Sequence, residues 1–287
     1  MKRKILILIL LAAFSVKAQV IFHYDKGYKE LLTKNFVFVL NDVPENKELK
    51  DVIAKYWKLT KYKIIPENEI DNNLATDNVF FQVMDIREKY KDFKTKMTVI
   101  HDFTEFAMWS PTEKGLGNGG TEKDLGYTHR QFYVKIKLQL IYKNQYYNWA
   151  PGYLKNYLQH IQEYIKTQTE KGKAEDVADP AQIKELKNAT LFVPVYTFDG
   201  KEIGDIFKKY KYKYEAIKGS ELNKKILSGE KIYYMLTYTD QNHAKIIDIY
   251  NAETGQVIYH YFDTRPLYPY LRKDDISSIE EEVEKAK

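Results

Sequence analysis

The chain has 287 residues, of which 44% are hydrophobic, 30% are charged and 15% are aromatic. These proportions exclude an intrinsically disordered protein and are sufficient for a globular fold with a hydrophobic core. The formal net charge is +5 at pH 7, and the absence of cysteine excludes disulfide bonds, a lipid-bearing cysteine and a cysteine nucleophile.

Residues 1–18 have the organisation of a secretory signal peptide. Basic residues at positions 2–4 precede an apolar run over residues 5–14, and Val16 and Ala18 occupy the −3 and −1 positions of a cleavage site before Gln19. The apolar run is shorter than the ~20 residues that a membrane-spanning helix requires. We therefore expect export of the cleaved chain to a periplasm or to the exterior, with no membrane span remaining.

Cleavage of the signal peptide also changes the charge of the protein. The first 18 residues contain four basic and no acidic side chains, so their removal lowers the formal net charge from +5 to +1. Arginine is the side chain best suited to bidentate contacts with phosphates and bases. The remaining chain contains only four arginines: Arg87, Arg130, Arg265 and Arg272. This composition argues against a nucleic-acid partner.

Residues 29–100 and 184–248 repeat the same order of apolar segments, at a spacing of about 152 to 155 residues. In the first copy an apolar strand at residues 36–39 precedes an amphipathic helix, whose apolar positions are Leu49, Val52, Ile53 and Tyr56. In the second copy a strand at residues 191–193 precedes a similar set: Ile203, Ile206, Phe207 and Tyr210. The helical spacing of both sets predicts two related modules.

The correspondence continues through the later elements of each copy. The matching pairs are short strands at 62–65 and 214–217, short helices at 69–74 and 221–226, and strands at 79–81 and 232–234. A pair of strands follows in each copy, at 98–109 with 131–142 and at 245–250 with 257–262, and a helix closes each copy. The first closing helix begins near Pro151, and the second contains Ile276, Ile279 and Val283.

The shared order β-α-β-α-β-β-β-α predicts an α/β (α+β) fold with a mixed sheet and helices in each of two tandem modules. Residues 166–180 are almost free of apolar side chains and end in a proline, which is typical of a linker. The predicted organisation is a signal peptide at 1–18, a first module at 19–165, a linker at 166–180 and a second module at 181–287.

The segments at residues 36–39, 49–56 and 62–74, with their counterparts at 191–226, resemble exported α/β domains of known envelope proteins. These are the domain at the amino end of TolB and the domains of the CsgG and LpoB proteins. The resemblance covers less than half of the chain and implies a role in assembling or tethering envelope machinery rather than catalysis. The long loop before Gln131 and the absence of a lipid-bearing cysteine differ from that pattern, and no site residue is carried over.

The sequence contains no established catalytic or metal-binding motif. Its six histidines are dispersed, and no serine lies in a nucleophile elbow. We therefore expect no catalytic residue, no metal and no cofactor. An alternative that stays open is a secreted hydrolase that uses His101, Asp102 or Glu105 as acid or base.

Two segments contain the candidate binding residues. The first is the long loop that begins at Trp109 and contains a glycine-rich stretch, from which we select Trp109, Gly117, Asn118 and Gly119. This stretch lacks the lysine and hydroxyl residue of a phosphate-binding loop and does not begin a helix, which favours a hairpin loop. The second is an aromatic cluster, from which we select Tyr146, Tyr147 and Trp149.

These features together predict an exported, non-catalytic protein. It is expected to bind an envelope protein, a peptide or a polysaccharide through its sheet edges, the cleft between its modules and the glycine-rich loop. The hydrolase described above remains one alternative. A carbohydrate-binding protein that uses the exposed rings of Tyr146, Tyr147 and Trp149 is the other.

Overall fold

The computed structural model describes residues 20–22, 28–91, 96–113, 116, 128–136, 148–171, 179–198, 202–239, 245–263 and 270–286. Residues 1–18, which the sequence predicts to be a signal peptide, lie outside the described residues. The described residues form two mixed β-sheets with helices packed against them. The predicted α/β fold class is confirmed.

The strands of the first sheet are β1 (Val20–Phe22), β2 (Asn35–Val39), β3 (Tyr62–Ile65), β4 (Asn78–Lys91), β5 (Thr98–Pro111) and β6 (Thr128–Ile136). Those of the second sheet are β7 (Leu191–Pro194), β8 (Tyr214–Ile217), β9 (Tyr233–Thr239), β10 (Lys245–Asn251) and β11 (Val257–Asp263). The α-helices are α1 (Tyr28–Leu31), α2 (Lys47–Tyr56), α3 (Pro151–Lys171), α4 (Ile203–Ile206), α5 (Gly219–Ser228) and α6 (Lys273–Lys285). The longest 3₁₀ segment is Pro180–Lys187.

The two sheets share one topology. The first has the order β3-β2-β4-β5-β6 with β1 added beside β6, and the second has the order β8-β7-β9-β10-β11. In each sheet the strand second from one edge, β2 or β7, is parallel to both of its neighbours, and the remaining pairs are antiparallel. Both sheets are therefore mixed, as the order of elements along the chain predicts.

The structure also corrects three element predictions. β1 was absent from the expected order, because a strand of three residues is too short to show periodicity. The helix expected from Ile203 to Tyr210 is a single turn, because Gly204 disfavours helix and Glu202 provides no side-chain cap. The helix expected at residues 69–74 is replaced by two 3₁₀ turns in a segment rich in Asp and Asn, which compete with helical hydrogen bonds.

Helix α3 lies between the two modules and forms the centre of the molecule. It contacts α2 of the first module and α5 of the second. Its side chains share one hydrophobic core with strand residues of both sheets: Phe36, Phe38 and Phe81 of the first, and Tyr234, Leu236 and Tyr250 of the second. Most residues of α3 are buried, as expected for a helix that is surrounded on several sides.

Polar side chains of α3 fix it to both modules. Lys155 Nζ donates hydrogen bonds to the main-chain oxygens of Ile226 and Ala252, at 3.0 and 2.9 Å. On the other side, Gln162 Oε1 accepts from the main-chain N–H of Leu59 at 2.9 Å. The two modules are therefore packed on each other through this helix.

The end of α3 differs from the predicted module boundary. The helix continues to Lys171, six residues into the segment that the sequence predicts to be a linker. Gln168 in this extension is buried, and Thr169 Oγ1 donates to the oxygen of Ile165 at 2.8 Å. Few apolar residues are needed here because polar side chains supply the contacts. Residues 172–178 lie outside the described residues.

Candidate functional site

The first candidate site is a small cavity at the carboxyl end of β2, which we call the Trp149 pocket. β2 lies between β3 and β4, so its carboxyl end is a switch point of the sheet, where open α/β sheets commonly bind ligands. The cavity has a volume of about 200 Å³. Its lining residues are Val39, Leu40, Asn41, Asn46, Leu49, Glu67, Gln82, Val83 and Trp149.

Hydrogen bonds hold the polar groups of the Trp149 pocket in place. Asn41 Oδ1 accepts from the main-chain N–H of Glu67 at 2.9 Å, and Asn41 Nδ2 donates to the Glu67 carboxylate at 3.4 Å. Asn46 Nδ2 donates to the main-chain oxygen of Asn41 at 2.9 Å. Gln82 Oε1 accepts from Trp109 Nε1 at 3.2 Å. The pocket therefore presents oriented amide groups.

Trp149 forms the aromatic wall of this pocket. It lies two residues before the start of α3 and is half-buried. Its ring packs against Phe106 of β5, with ring centroids 5.1 Å apart. The position of α3 between the modules thus decides where this indole lies.

The second candidate site is a groove between β11 and α6, which we call the β11 groove. It has a volume of about 650 Å³ and is open to solvent. Its lining residues are Pro180, Ile183, Ile258, Tyr259, His260, Tyr261, Ser278, Glu281, Glu282, Lys285 and Ala286. β11 is an edge strand, so the groove borders main-chain groups that are not used by the sheet.

The hairpin between β10 and β11 shows which residues face outward. Asn251 N–H donates to the oxygen of Gln256 across the turn, so Asn251 and every second residue before it face β11. Their partners Tyr259 and Tyr261 face β10, and the alternate residues His260 and Phe262 direct their main-chain N–H and C=O outward. Within the part of the chain that the structure describes, no hydrogen bond reaches these outward groups.

His260 is anchored on the sheet by a buried carboxylate. Its Nδ1 lies 2.5 Å from Asp248 Oδ1, and the Asp248 side chain has no exposed surface. The two residues are direct cross-strand neighbours on β10 and β11. The pair fixes the ring orientation, and among the described residues Nε2 has no hydrogen-bond partner.

A second buried ionic group lies at the start of α6. Lys245 Nζ is 2.5 Å from Asp275 Oδ2 and 3.8 Å from Asp263 Oδ2, and all three residues are buried. The same Asp275 oxygen accepts from the main-chain N–H of Arg272 at 2.7 Å. The pairing and the capping bond indicate a structural role, because they fix α6 on β10 and β11.

A cleft between the modules, expected as a binding surface, is present along α3. It has a volume of about 600 Å³ and is lined mainly by polar residues. Two of them are already hydrogen bonded to the modules: Gln159 Nε2 donates to the oxygen of Glu253, and Gln162 Nε2 donates to the oxygen of Tyr56. These bonds hold the modules together, so the cleft is the weakest of the three candidate surfaces.

The candidate binding residues from the sequence are distributed unevenly. Trp109 is fully buried, stacks on Phe80 with centroids 4.5 Å apart, and is therefore not a surface contact. This corrects the prediction, and the reason is that the strand continues through Trp109 to Pro111 and turns its ring into the sheet core. Trp149 lies in a cavity. The remaining candidates lie outside the described residues: Gly117, Asn118, Gly119, Tyr146 and Tyr147.

The candidate acid–base residues of the hydrolase alternative lie on β5. Glu105 is fully buried, so it offers no group at an open site. The side chains of His101 and Asp102 lie outside the described part of the structure.

Sequence analysis did not find the β11 groove, or the amides that line the Trp149 pocket. Residues of the groove come from β11, from α6 and from the segment before β7, and no local motif connects them. A signal was present for the pocket, because Asn41 lies two residues after a buried strand and precedes a helix.

Comparisons of the chain with protein-family models, with curated proteins and with solved structures give no match. The resemblance to the TolB, CsgG and LpoB domains therefore stays a prediction. No cluster of three or more potential metal ligands occurs among the described residues. None of the helices in the described ranges is long and apolar enough to cross a membrane.

Proposed function

We propose that this chain is an exported, non-catalytic protein that binds an extended segment of an envelope protein at the edge of its second sheet. The observation that carries this proposal is the outer edge of β11, where His260 and Phe262 present main-chain hydrogen-bonding groups beside an open groove. In strand addition, main-chain hydrogen bonds provide affinity and neighbouring pockets provide specificity.

The side chains of the β11 groove define the kind of peptide that it accepts. Ile183, Ile258 and Tyr259 form a buried apolar floor, and the partly exposed ring of Tyr261 offers an apolar contact to a side chain of an added strand. Glu281 and Glu282 of α6 lie beside a single cation, Lys285, which is 2.9 Å from the Glu282 carboxylate. One negative charge remains in excess, which favours a segment with apolar and basic side chains over an acidic one.

Export is the second part of the proposal. It rests on the signal-peptide pattern of residues 1–18. The resemblance to exported envelope domains supports a role in assembly or tethering. The same resemblance gives no partner, so the partner is defined here by its chemistry alone.

The test uses the edge of β11. Phe262→Pro removes an outward main-chain N–H without removing a hydrogen bond to β10, and Phe262→Ala is the matched control that loses the same ring but keeps the N–H. Each tagged protein is expressed in the native host, crosslinked mildly, and purified with its partners. We expect a specific envelope protein with wild type and with Phe262→Ala, and at least a tenfold loss with Phe262→Pro.

Two further results would decide against the proposal. Capture of the same partner at equal yield by Phe262→Pro would remove β11 from the binding surface. Loss of the partner on deletion of residues 112–128, with Phe262→Pro unchanged, would place the interaction on the glycine-rich loop instead. Far-UV circular dichroism of each variant shows whether the chain as a whole remains folded.

A further inference from the structure

The Trp149 pocket, in the first module, is a candidate site for a different kind of ligand. We propose that the Trp149 pocket binds one uncharged sugar ring, either free or as a unit of a glycan chain. This proposal is independent of peptide binding at β11, because the two sites lie on different sheets and share no residue.

The first argument is the construction of the cavity. The pairing of β2 with β4 ends at Phe38 and Phe81, whereas β4 continues for ten further residues. The next two residues of β4, Gln82 and Val83, therefore form a wall of the pocket instead of pairing with β2. The cavity is a product of the sheet topology and not of a loose surface loop.

The second argument is the chemistry of the lining. The lining includes the amides of Asn41, Asn46 and Gln82, and bonds within the protein hold Asn41 Oδ1, Asn46 Nδ2 and Gln82 Oε1 in place. An amide oxygen has two lone pairs and an amide nitrogen two hydrogens, so the amides of Asn41 and Asn46 can each make a further bond to a hydroxyl group that donates and accepts. On the apolar side, the Trp149 indole, with Leu49 and Val83, can contact the C–H face of a sugar ring.

The third argument is charge. The lining contains one carboxylate, Glu67, and no Lys or Arg. An anionic ligand would meet a like charge without a compensating cation, so phosphate, sulfate and uronic acids are disfavoured. The ligand class is therefore a neutral, hydroxyl-rich one.

The fourth argument is size. Pockets for drug-sized ligands usually measure at least ~300 Å³, and this cavity measures about 200 Å³. The volume is suited to a single ring. An oligosaccharide would place one unit in the pocket and its neighbours outside.

In the second module, the residue that corresponds to Trp149 is buried. Leu271 lies two residues before α6, as Trp149 lies two residues before α3. Leu271 is 1% exposed, and its main-chain N–H donates to the oxygen of Thr197, just after β7. At the corresponding position of the first module Trp149 is half-buried and lines a cavity, so we place one sugar site in each chain.

The experiment uses intrinsic fluorescence of the purified full chain. The protein has three tryptophans, and Trp57 and Trp109 are buried, so a ligand-dependent quench reports on Trp149. The probes are glucose, galactose, mannose and N-acetylglucosamine, with glucuronic acid and a blocked glycine peptide as comparators. We expect a saturable quench by at least one neutral sugar in the millimolar range, and none by glucuronic acid or the peptide.

Two exposed positions allow matched variants. Asn41→Leu removes the amide from the pocket and is expected to weaken sugar binding at least tenfold, whereas Asn72→Leu, outside the lining, is expected to leave it unchanged. Glu67→Gln removes the carboxylate and is expected to allow glucuronic acid to bind, while Glu69→Gln is its control.

The proposal fails if no neutral sugar quenches the fluorescence, or if Asn41→Leu binds as well as wild type. A quench by the blocked peptide alone would also overturn it, because the pocket would then recognise an amide. None of these results affects the β11 edge, whose test uses partner capture and different residues. The two proposals therefore stand or fall separately.

Discussion

At the scale of single residues, the interior of α3 contains a histidine that the packing keeps neutral. His160 is 2% exposed, and burial lowers its pKa from 6.5 to about 4. Desolvation disfavours the charged imidazolium because the interior cannot solvate it as water does. The sequence places His160 on the helix, but the burial that shifts its pKa depends on both modules being packed around α3.

The lowered pKa of His160 predicts a pH dependence of stability. Below pH 6.5 the unfolded chain binds a proton on this residue and the folded chain does not, until the pH reaches about 4. The free energy of unfolding should therefore fall by about 3 kcal/mol over this range through His160 alone. Urea unfolding of wild type and His160→Gln at pH 7 and pH 4.5 checks this. An equal pH dependence in both proteins would contradict it.

At the scale of elements, the turn between β10 and β11 requires a glycine. Gly255 has a φ of +74°, and a Cβ at this position would lie 2.7 Å from the main-chain oxygen of Asn156 in α3. Gly229, at the end of α5, has a φ of +80° but no neighbour within 4 Å of a Cβ. Comparing substitutions at Gly229 and Gly255 therefore separates the stability cost of a left-handed backbone from the cost of a close contact.

We therefore predict different losses of stability for the two alanine variants. Gly229→Ala should cost about 1 kcal/mol, since only the left-handed backbone is penalised. Gly255→Ala should cost about 3 kcal/mol, because the added methyl also forces the turn away from α3. Denaturant unfolding of both variants measures the difference. Equal losses would show that the turn can move away from α3 without penalty.

At the scale of the whole molecule, α3 connects the two modules into one cooperative unit. Its side chains lie in a core shared by both sheets, and Lys155 bonds the oxygens of Ile226 and Ala252. Burial lowers the pKa of Lys155. Its Nζ is hydrogen bonded to both of these main-chain oxygens. A module without this helix would expose a large apolar surface, so independent folding of the modules is unfavourable.

This arrangement predicts a single unfolding transition. The three tryptophans all lie in the first module, so fluorescence follows that module while far-UV circular dichroism follows the whole chain. The two transitions should coincide. Lys155→Met should lower both midpoints together by removing two hydrogen bonds, at a cost of about 1–3 kcal/mol, and Lys166→Met, exposed on the same helix, should change neither. Transitions at separate midpoints would show that the modules unfold independently.

Local patterns in the sequence were sufficient for much of the fold. Alternating and continuous apolar runs located β2, β3, β7 and β8. β2 and β7 lie inside their sheets and are mostly buried, whereas β3 and β8 are edge strands in which the last residue is buried. Local patterns were insufficient for α4, where apolar residues at helical spacing are buried although the helix ends after one turn. Burial and helicity produce the same spacing, and Gly204 together with the missing cap decides between them.

Local patterns were likewise sufficient for one candidate binding residue and insufficient for another. Trp149 was selected because aromatic residues cluster around it, and a cavity lies beside it. Trp109 was selected because it begins the long loop with the glycine-rich stretch, and it is buried, because nothing in the local sequence tells which side of β5 is covered. Aromatic composition therefore indicates a candidate, and the layers packed on a strand decide its exposure.

The sequence by itself determined the α/β class, the repeated order of elements and the absence of cysteine, since these follow from composition and short-range periodicity. Only the tertiary structure decided that α3 lies between the modules, that Trp149 lines a cavity at the end of β2 while Leu271 is buried at the corresponding position, and that no hydrogen bond among the described residues reaches the outward main-chain groups of His260 and Phe262. These features depend on residues far apart in the chain. Long-range packing brings them together, and no local pattern encodes it.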